Sequence, residues 1–230
     1  MHQAVFVSDV HLGTTDNSEL FIEFLENLET KKLFLVGDII SFVVDTPNSV
    51  LDRVFNILKN AEYEVIYLWG NHEKENLNLK SSLSKYYSNL ELYNRYIYTF
   101  NSTKVLIEHG DSFHYKDALN RAIKTVMLNF KTKLYKKDKV QYPKVKGVYY
   151  RVKPLIKYIL YNSYLRYIAS IAIKERCNYA VCGHIHEPEI RDINGIKYIN
   201  CGDWLKSCTY LVLDSNEEFR LVKYKGNKND

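Results

Sequence analysis

The chain of 230 residues has only four cysteines and no Cys-x-x-Cys pair, which excludes a zinc ribbon and a dithiol redox motif. Cys177, Cys182, Cys201 and Cys208 read instead as reduced, buried thiols, and a cytoplasmic location is expected. There is no run of about 18 apolar residues, so no membrane-spanning helix is expected. The opening residues through Gly13 lack a basic stretch followed by a long apolar one, so no signal peptide is expected there. No internal repeat or low-complexity tract is present. What remains is 46% hydrophobic and 26% charged, an ordinary balance for a globular protein.

The charge is unevenly placed. The whole chain carries +5, but residues 113–170 hold fourteen Lys or Arg against two acids, Asp117 and Asp138. That segment also holds nine of the 20 Tyr. A basic, aromatic segment inside an otherwise acidic chain points to an anionic partner.

Short apolar runs end repeatedly in Gly or in a polar cluster: Ala4 to Val7, Leu33 to Val36, Val65 to Trp69, Val105 to Ile107 and Tyr179 to Cys182. Rich in β-branched and aromatic residues, they read as buried strands. Between the early ones lie helical patterns. Asn17 or Ser18 can cap a helix with Leu20, Phe21, Phe24, Leu25 and Leu28 on one face. A second helix is expected over Pro47 to Asn60, with Pro47 in its first turn. Alternating strands and helices imply a largely parallel, layered α/β sheet. The basic segment reads as two helices, Ala118 to Phe130 and Leu155 to Lys174, separated by a looser stretch with Pro143, Gly147 and Pro154. It is expected to be an inserted helical cap (113–174) on a single domain (1–230). The C-terminal part returns to strands: Lys197 to Asn200, Thr209 to Leu213 and Phe219 to Tyr224.

Each of the first five strands is followed by residues that can hold a metal. In order they are Asp9 and His11; Asp38; Asn71, His72 and Glu73; His109 and Asp111; and His184 and His186. Open α/β sheets build their sites at the carboxyl ends of strands, and side chains two apart in an extended segment point the same way. One Asp-x-His pair is usually a surface or capping pair. Five such clusters in order, each at a strand end, form a site. Carboxylate, carboxamide and imidazole without thiolate suit Mn, Fe or Zn.

Asp9-x-His11, Gly37-Asp38, Gly70-Asn71-His72-Glu73, His109-Gly110 and Gly183-His184-x-His186 resemble the ordered motifs of calcineurin-like metallophosphoesterases. The resemblance implies an α/β/β/α sandwich and a two-metal site. It places Asp9, His11, Asp38 and His186 around one ion. It places Asp38, Asn71, His109 and His184 around the other, with Asp38 bridging. It gives His72 the role of assisting the leaving oxygen, and Glu73 that of orienting His72. Two divalent ions are implied, Mn first and Fe, Zn or Ni as substitutes. Their chemistry is a metal-activated water attacking phosphorus.

A narrower resemblance rests on Ser8-Asp9-Val10-His11-Leu12-Gly13, on Cys182-Gly183-His184-Ile185-His186, on Asn200-Cys201-Gly202-Asp203-Trp204 and on Ser207-Cys208-Thr209. These are similar to the UDP-2,3-diacylglucosamine pyrophosphohydrolase branch of lipid A synthesis and its relatives. Better-known members have Arg where this chain has His72. Ile39-Ile40-Ser41 follows Asp38 where members commonly show another Asp. The resemblance implies a nucleotide- or lipid-linked phosphate as substrate, held within residues 113–174. Lys131, Lys133, Lys136, Lys137 and Lys139, with the Tyr-rich stretch after Lys157, suit the inner face of an anionic membrane. Two alternatives are a generic phosphodiesterase or nucleotide phosphatase, and a nuclease whose Tyr residues stack on bases.

Overall fold

The computed structural model describes residues 1–13, 17–41, 48–75, 92–113 and 142–226. The first half of the chain supplies β1 (Ala4–Val7), α1 (Ser18–Glu26), β2 (Lys32–Val36), α2 (Asn48–Asn60), β3 (Glu64–Leu68), α3 (Asn71–Glu75) and β4 (Leu92–Tyr93). Then come β5 (Arg95–Phe100), β6 (Thr103–Glu108), α4 (Tyr142–Lys174) and β7 (Tyr179–Cys182). The chain ends with β8 (Glu189–Ile193), β9 (Ile196–Asn200), β10 (Thr209–Leu213) and β11 (Phe219–Lys223).

Two sheets form. The first has strand order β11-β10-β1-β2-β3-β4 and the second β5-β6-β7-β9-β8. β1, β2, β3 and β4 are mutually parallel, with Val5 opposite Leu33 and Phe34 opposite Ile66. β6, β7 and β9 are parallel in the second sheet. Antiparallel strands flank both parallel blocks.

Side-chain alternation builds the layers. Val5, Val7, Leu33 and Leu35 face α1 and α2, burying Phe21, Phe24, Val54 and Phe55. Phe6, Phe34, Val36, Ile66 and Leu68 point the other way, against Val105, Ile107, Val181 and Ile199 of the second sheet. Leu106, Ala180, Cys182 and Tyr198 leave the far side of that sheet and meet Tyr164, Leu165, Ile168, Ala169 and Ala172 of α4. The result is four layers, α/β/β/α. Strands buried on both faces are apolar at every position, which is why the short runs were visible in the sequence.

Two local expectations change. Asn17 stands at the amino end of α1, but its side chain makes no capping bond. Its amide donates to the Trp204 carbonyl at 2.6 Å, because the loop after β9 packs over the helix start. The stretch around Gly147 and Pro154, expected to be loose, lies inside the continuous helix α4. An interior proline costs about 3 kcal/mol, and the turns beyond it are anchored by Tyr164 to Ala172 on the second sheet. Pro47, the helix expected over Ala118 to Phe130 and the lysines from Lys131 to Lys139 lie outside the described residues.

Candidate metal centre

The carboxyl ends of β1, β2, β3, β6 and β7 converge between the sheets. The loops after β1 and β2 are laced together: Asp9 N donates to Gly37 O at 3.0 Å and His11 N to Asp38 O at 3.0 Å. Asp9, His11, Asp38, His184 and His186 all adopt left-handed backbone, with φ between 52° and 68°. Each such residue costs about 1–3 kcal/mol and persists where its surroundings over-determine it. Here the strain falls on five of the seven expected ligands.

The side chains gather in three overlapping groups. Asp9, His11 and His186 form one, His11, Asp38 and His72 a second, and Asp38, His109 and His184 a third; within each, the donor atoms lie within 4.8 Å of one another. Asn71 joins the third group, its Oδ1 3.0 Å from His184 Nδ1. Asp38 stands in two groups, the position a bridging carboxylate needs. All seven expected ligands and His72 are therefore brought to one place. Asp111 turns elsewhere, its carboxylate ion-paired with Lys74 Nζ at 2.7 Å.

Electrostatics show that these residues fit a cation. The Val36 carbonyl only accepts hydrogen bonds, so His109 Nδ1, 2.8 Å away, carries a proton. In the neutral ring, Nε2 then presents a lone pair toward Asp38 Oδ2, 3.2 Å distant. Two acceptors face each other in a buried space unless a positive charge lies between them. Asp9 Oδ1 and His109 Nε2 are both fully buried without a hydrogen-bond partner, a costly state for such groups. Burial pushes the Asp9 carboxyl up, but His109, His11 and His186 override it and hold it well below the usual carboxylate range. Asp9 is thus an anion in want of cations. The His186 ring is raised by its contact with Asp9, against burial. No thiol competes for the ion: all four cysteines are free and buried, and none belongs to the three groups.

Supporting contacts fix the ligands. Ser41 Oγ lies 2.6 Å from His11 Nδ1 and leaves Nε2 for the centre. Asp203 Oδ2 stands 4.0 Å from His186 Nδ1 while His186 Nε2 reaches within 3.1 Å of Asp9 Oδ1. Glu73, expected to orient His72, directs its buried carboxylate at the loop after β2. It accepts Asp38 N at 2.9 Å, Ile39 N at 2.6 Å and Ile40 N at 3.2 Å. It also accepts Tyr67 Oη at 3.0 Å and Gly70 N at 2.9 Å. Glu73 therefore carries the backbone beneath Asp38. Gly70 is required by close approach, since a Cβ there would stand 2.1 Å from Asp38 Oδ1.

Sequence reasoning missed Ser41, Asn200 and Asp203 as supporting residues. Ser41 had a signal, its place three residues after Asp38, and Asn200 and Asp203 stood in the Asn200-to-Trp204 match without a role.

The family model described as calcineurin-like phosphoesterase matches residues 3–188. The UDP-2,3-diacylglucosamine hydrolase of Wigglesworthia glossinidia brevipalpis is 26% identical over 237 residues, covering 96% of this chain and 93% of that protein. Among solved structures, the phosphoesterase Yfce from E. coli aligns with a TM-score of 0.51 at 15% identity, covering 96% of this chain and 99% of that one. That likeness shows the fold alone. An archaeal phosphodiesterase aligns with a TM-score of 0.48 at 16% identity, covering 95% and 98%.

Proposed function

Since the chain belongs to the calcineurin-like phosphoesterase family and is a metal-dependent phosphoester hydrolase, we propose that it cleaves the pyrophosphate of UDP-2,3-diacylglucosamine or a close analogue. The products are UMP and the acylated sugar phosphate. The observation that carries the hydrolytic reading is the pair of donor groups that share Asp38. The observation that carries the substrate is the similarity to the Wigglesworthia hydrolase along nearly the whole chain.

In this reading Asp9, His11, Asp38 and His186 hold one divalent ion, and Asp38, Asn71, His109 and His184 the other. Mn is the first choice, with Fe, Zn or Ni as substitutes. Bound there, two such ions neutralise phosphate oxygens and lower the pKa of water. The chain's own part is positional. Asp9, His11, Asp38 and His109 are buried and keep bulk water from the floor of the centre. His72, with 28% of its side chain exposed and Nε2 3.8 Å from Asp38 Oδ2, stands at the rim. There it holds a proton for the oxygen that leaves phosphorus.

An exposed apolar stripe on α4 supports a lipid-linked substrate. Leu155, Tyr158 and Ile159 are exposed at helical spacing on α4. Lys157 of the same turn pairs with Glu187 at 2.6 Å, next to His186. An apolar stripe so near the donor groups supports an acylated substrate. It also supports work at a lipid surface. Among the described residues no helix is long and apolar enough to cross a membrane.

Phosphorus NMR of UDP-2,3-diacylglucosamine with the protein and Mn tests this, beside a His11→Ala control. Release of UMP by the wild type alone supports the reading. Hydrolysis of bis-p-nitrophenyl phosphate without release of UMP would leave a phosphodiesterase of other specificity.

A further inference from the structure

We infer that Asn200 is a positioning residue that holds both halves of the metal centre in register through a single peptide plane. The inference rests on the metal centre proposed above, and it assigns a role to a side chain that touches neither ion nor substrate.

Asn200 ends β9 and is completely buried. A buried carboxamide is costly unless its donors and acceptor are used, and here they are. Nδ2 donates to Gly183 O at 2.7 Å and to Tyr198 Oη at 3.0 Å. Oδ1 accepts Gly202 N at 2.9 Å. An apolar side chain would fill the same space, so the amide is present for its bonds.

The bond to Gly183 O is the important one. That carbonyl and the N–H of His184 belong to the same planar peptide unit. The His184 N–H donates to Asp9 Oδ2 at 2.9 Å. One rigid plane therefore has its oxygen held by Asn200 and its hydrogen held by Asp9. Asp9 belongs to the donor group with His11 and His186, and His184 to the group with Asp38 and His109. Rotation of this plane would release Asp9 Oδ2 and swing His184 at the same time. His184 sits at φ 68°, a strained conformation that needs such a restraint. Gly183 leaves the room for it, since a Cβ there would stand 2.4 Å from Asp9 Oδ2.

The other end of the carboxamide is tied to the same loops. Gly202, whose N–H Asn200 accepts, takes the Ser8 hydroxyl on its carbonyl at 3.2 Å, and Ser8 precedes Asp9. Two residues on, Trp204 N donates to Asp9 O at 3.0 Å. The turn after β9 thus clamps the loops after β1 and β7, with Asn200 at its centre.

The test is calorimetric titration of Mn(II) into metal-stripped protein: wild type, Asn200→Asp, and Leu165→Ala as a stability control on α4, which makes none of these hydrogen bonds. Asn200→Asp keeps the volume and the acceptor for Gly202 N but, titrated at alkaline pH where its carboxyl is ionised, has no donor for Gly183 O. Removing a supporting partner of a metal ligand costs about 10–100-fold in affinity, and a loss of that size is expected. Leu165→Ala is expected to melt at lower temperature yet bind Mn as the wild type does. If Asn200→Asp does not fold, Asn200→Ser, too short to reach the Gly183 carbonyl, is expected to weaken binding several-fold. Wild-type affinity in Asn200→Asp, or in Asn200→Ser where that variant stands in, overturns the inference. So does an equal loss in Leu165→Ala, which would make affinity follow stability alone. Any of these, with wild-type binding intact, leaves the phosphoesterase reading in place. A wild type that takes up no Mn and hydrolyses no bis-p-nitrophenyl phosphate overturns both.

Discussion

His109 Nε2 lies 3.2 Å from Asp38 Oδ2, and both residues are buried. A positive charge must sit between them, and either a proton or a metal ion can supply it. Without metal, burial pulls the His109 imidazolium down, but Asp9, Asp38 and the Val36 carbonyl push it up to about 10, above the ordinary 6.5. A group raised in the folded state stabilises the fold fully below its unfolded pKa, and that contribution fades as pH rises through the folded one. The melting temperature of metal-free protein is therefore expected to fall as pH rises from about 7 toward about 9.5. A bound cation replaces the proton, so the Mn-loaded protein is expected to fall much less, and the gain on adding Mn to grow with pH. Thermal melts across this range check it. A gain from Mn that is flat or shrinking with pH contradicts it.

Glu73→Gln is expected to destabilise the fold. Oε2 accepts two backbone N–H groups, from Asp38 and Gly70, and Oε1 accepts the N–H groups of Ile39 and Ile40 and the Tyr67 hydroxyl. Whichever oxygen becomes an amide nitrogen, at least two donors then face a donor. A buried donor left unsatisfied costs about 1–3 kcal/mol, so a loss of at least about 2 kcal/mol is expected in urea denaturation. An unchanged midpoint and slope would mean that the carboxylate does not carry this loop.

Gly70→Ala is expected to damage the centre although Gly70 is not itself a ligand. Its Cβ would stand 2.1 Å from Asp38 Oδ1 and 2.2 Å from Asp38 N. Because the second neighbour is backbone, no rotamer change relieves both. Overpacking of this kind costs about 1–3 kcal/mol or more, and displacement of Asp38 is expected to weaken Mn binding at least about 10-fold. Calorimetric titration reads the second effect, and wild-type affinity there would contradict it.

The parallel strands and the donor residues were legible in the sequence for the same reason. A strand buried on both faces is an unbroken apolar run, and where it ends the chain turns polar at the site. Of the edge strands, β11 was expected from Phe219 to Tyr224, but β4, β5 and β8 were not. Glu189–Ile193 reads EIRDI and is half exposed, so it carries neither a continuous apolar run nor a clean alternation. Helix α4 was foreseen only from Leu155 onward, because Gly147 and Pro154 argue locally against helix and packing outweighs them. The supporting contacts were hidden by distance along the chain. Glu73 reaches back 35 residues to Asp38 N, and Ser41 holds His11 from 30 residues away. Neither periodicity nor spacing shows a bond of that kind.

Metal content after exhaustive dialysis against Mn(II), measured for the wild type and Asp38→Asn together with turnover of bis-p-nitrophenyl phosphate, tests the centre most directly. Two donor groups that share Asp38 predict about two Mn per wild-type chain. Asp38→Asn is expected to hold fewer and to lose turnover by at least about 100-fold, the upper end of what even a supporting partner costs. One Mn or none in the wild type, or turnover that survives both chelation and Asp38→Asn, would contradict a two-metal hydrolase built on this carboxylate.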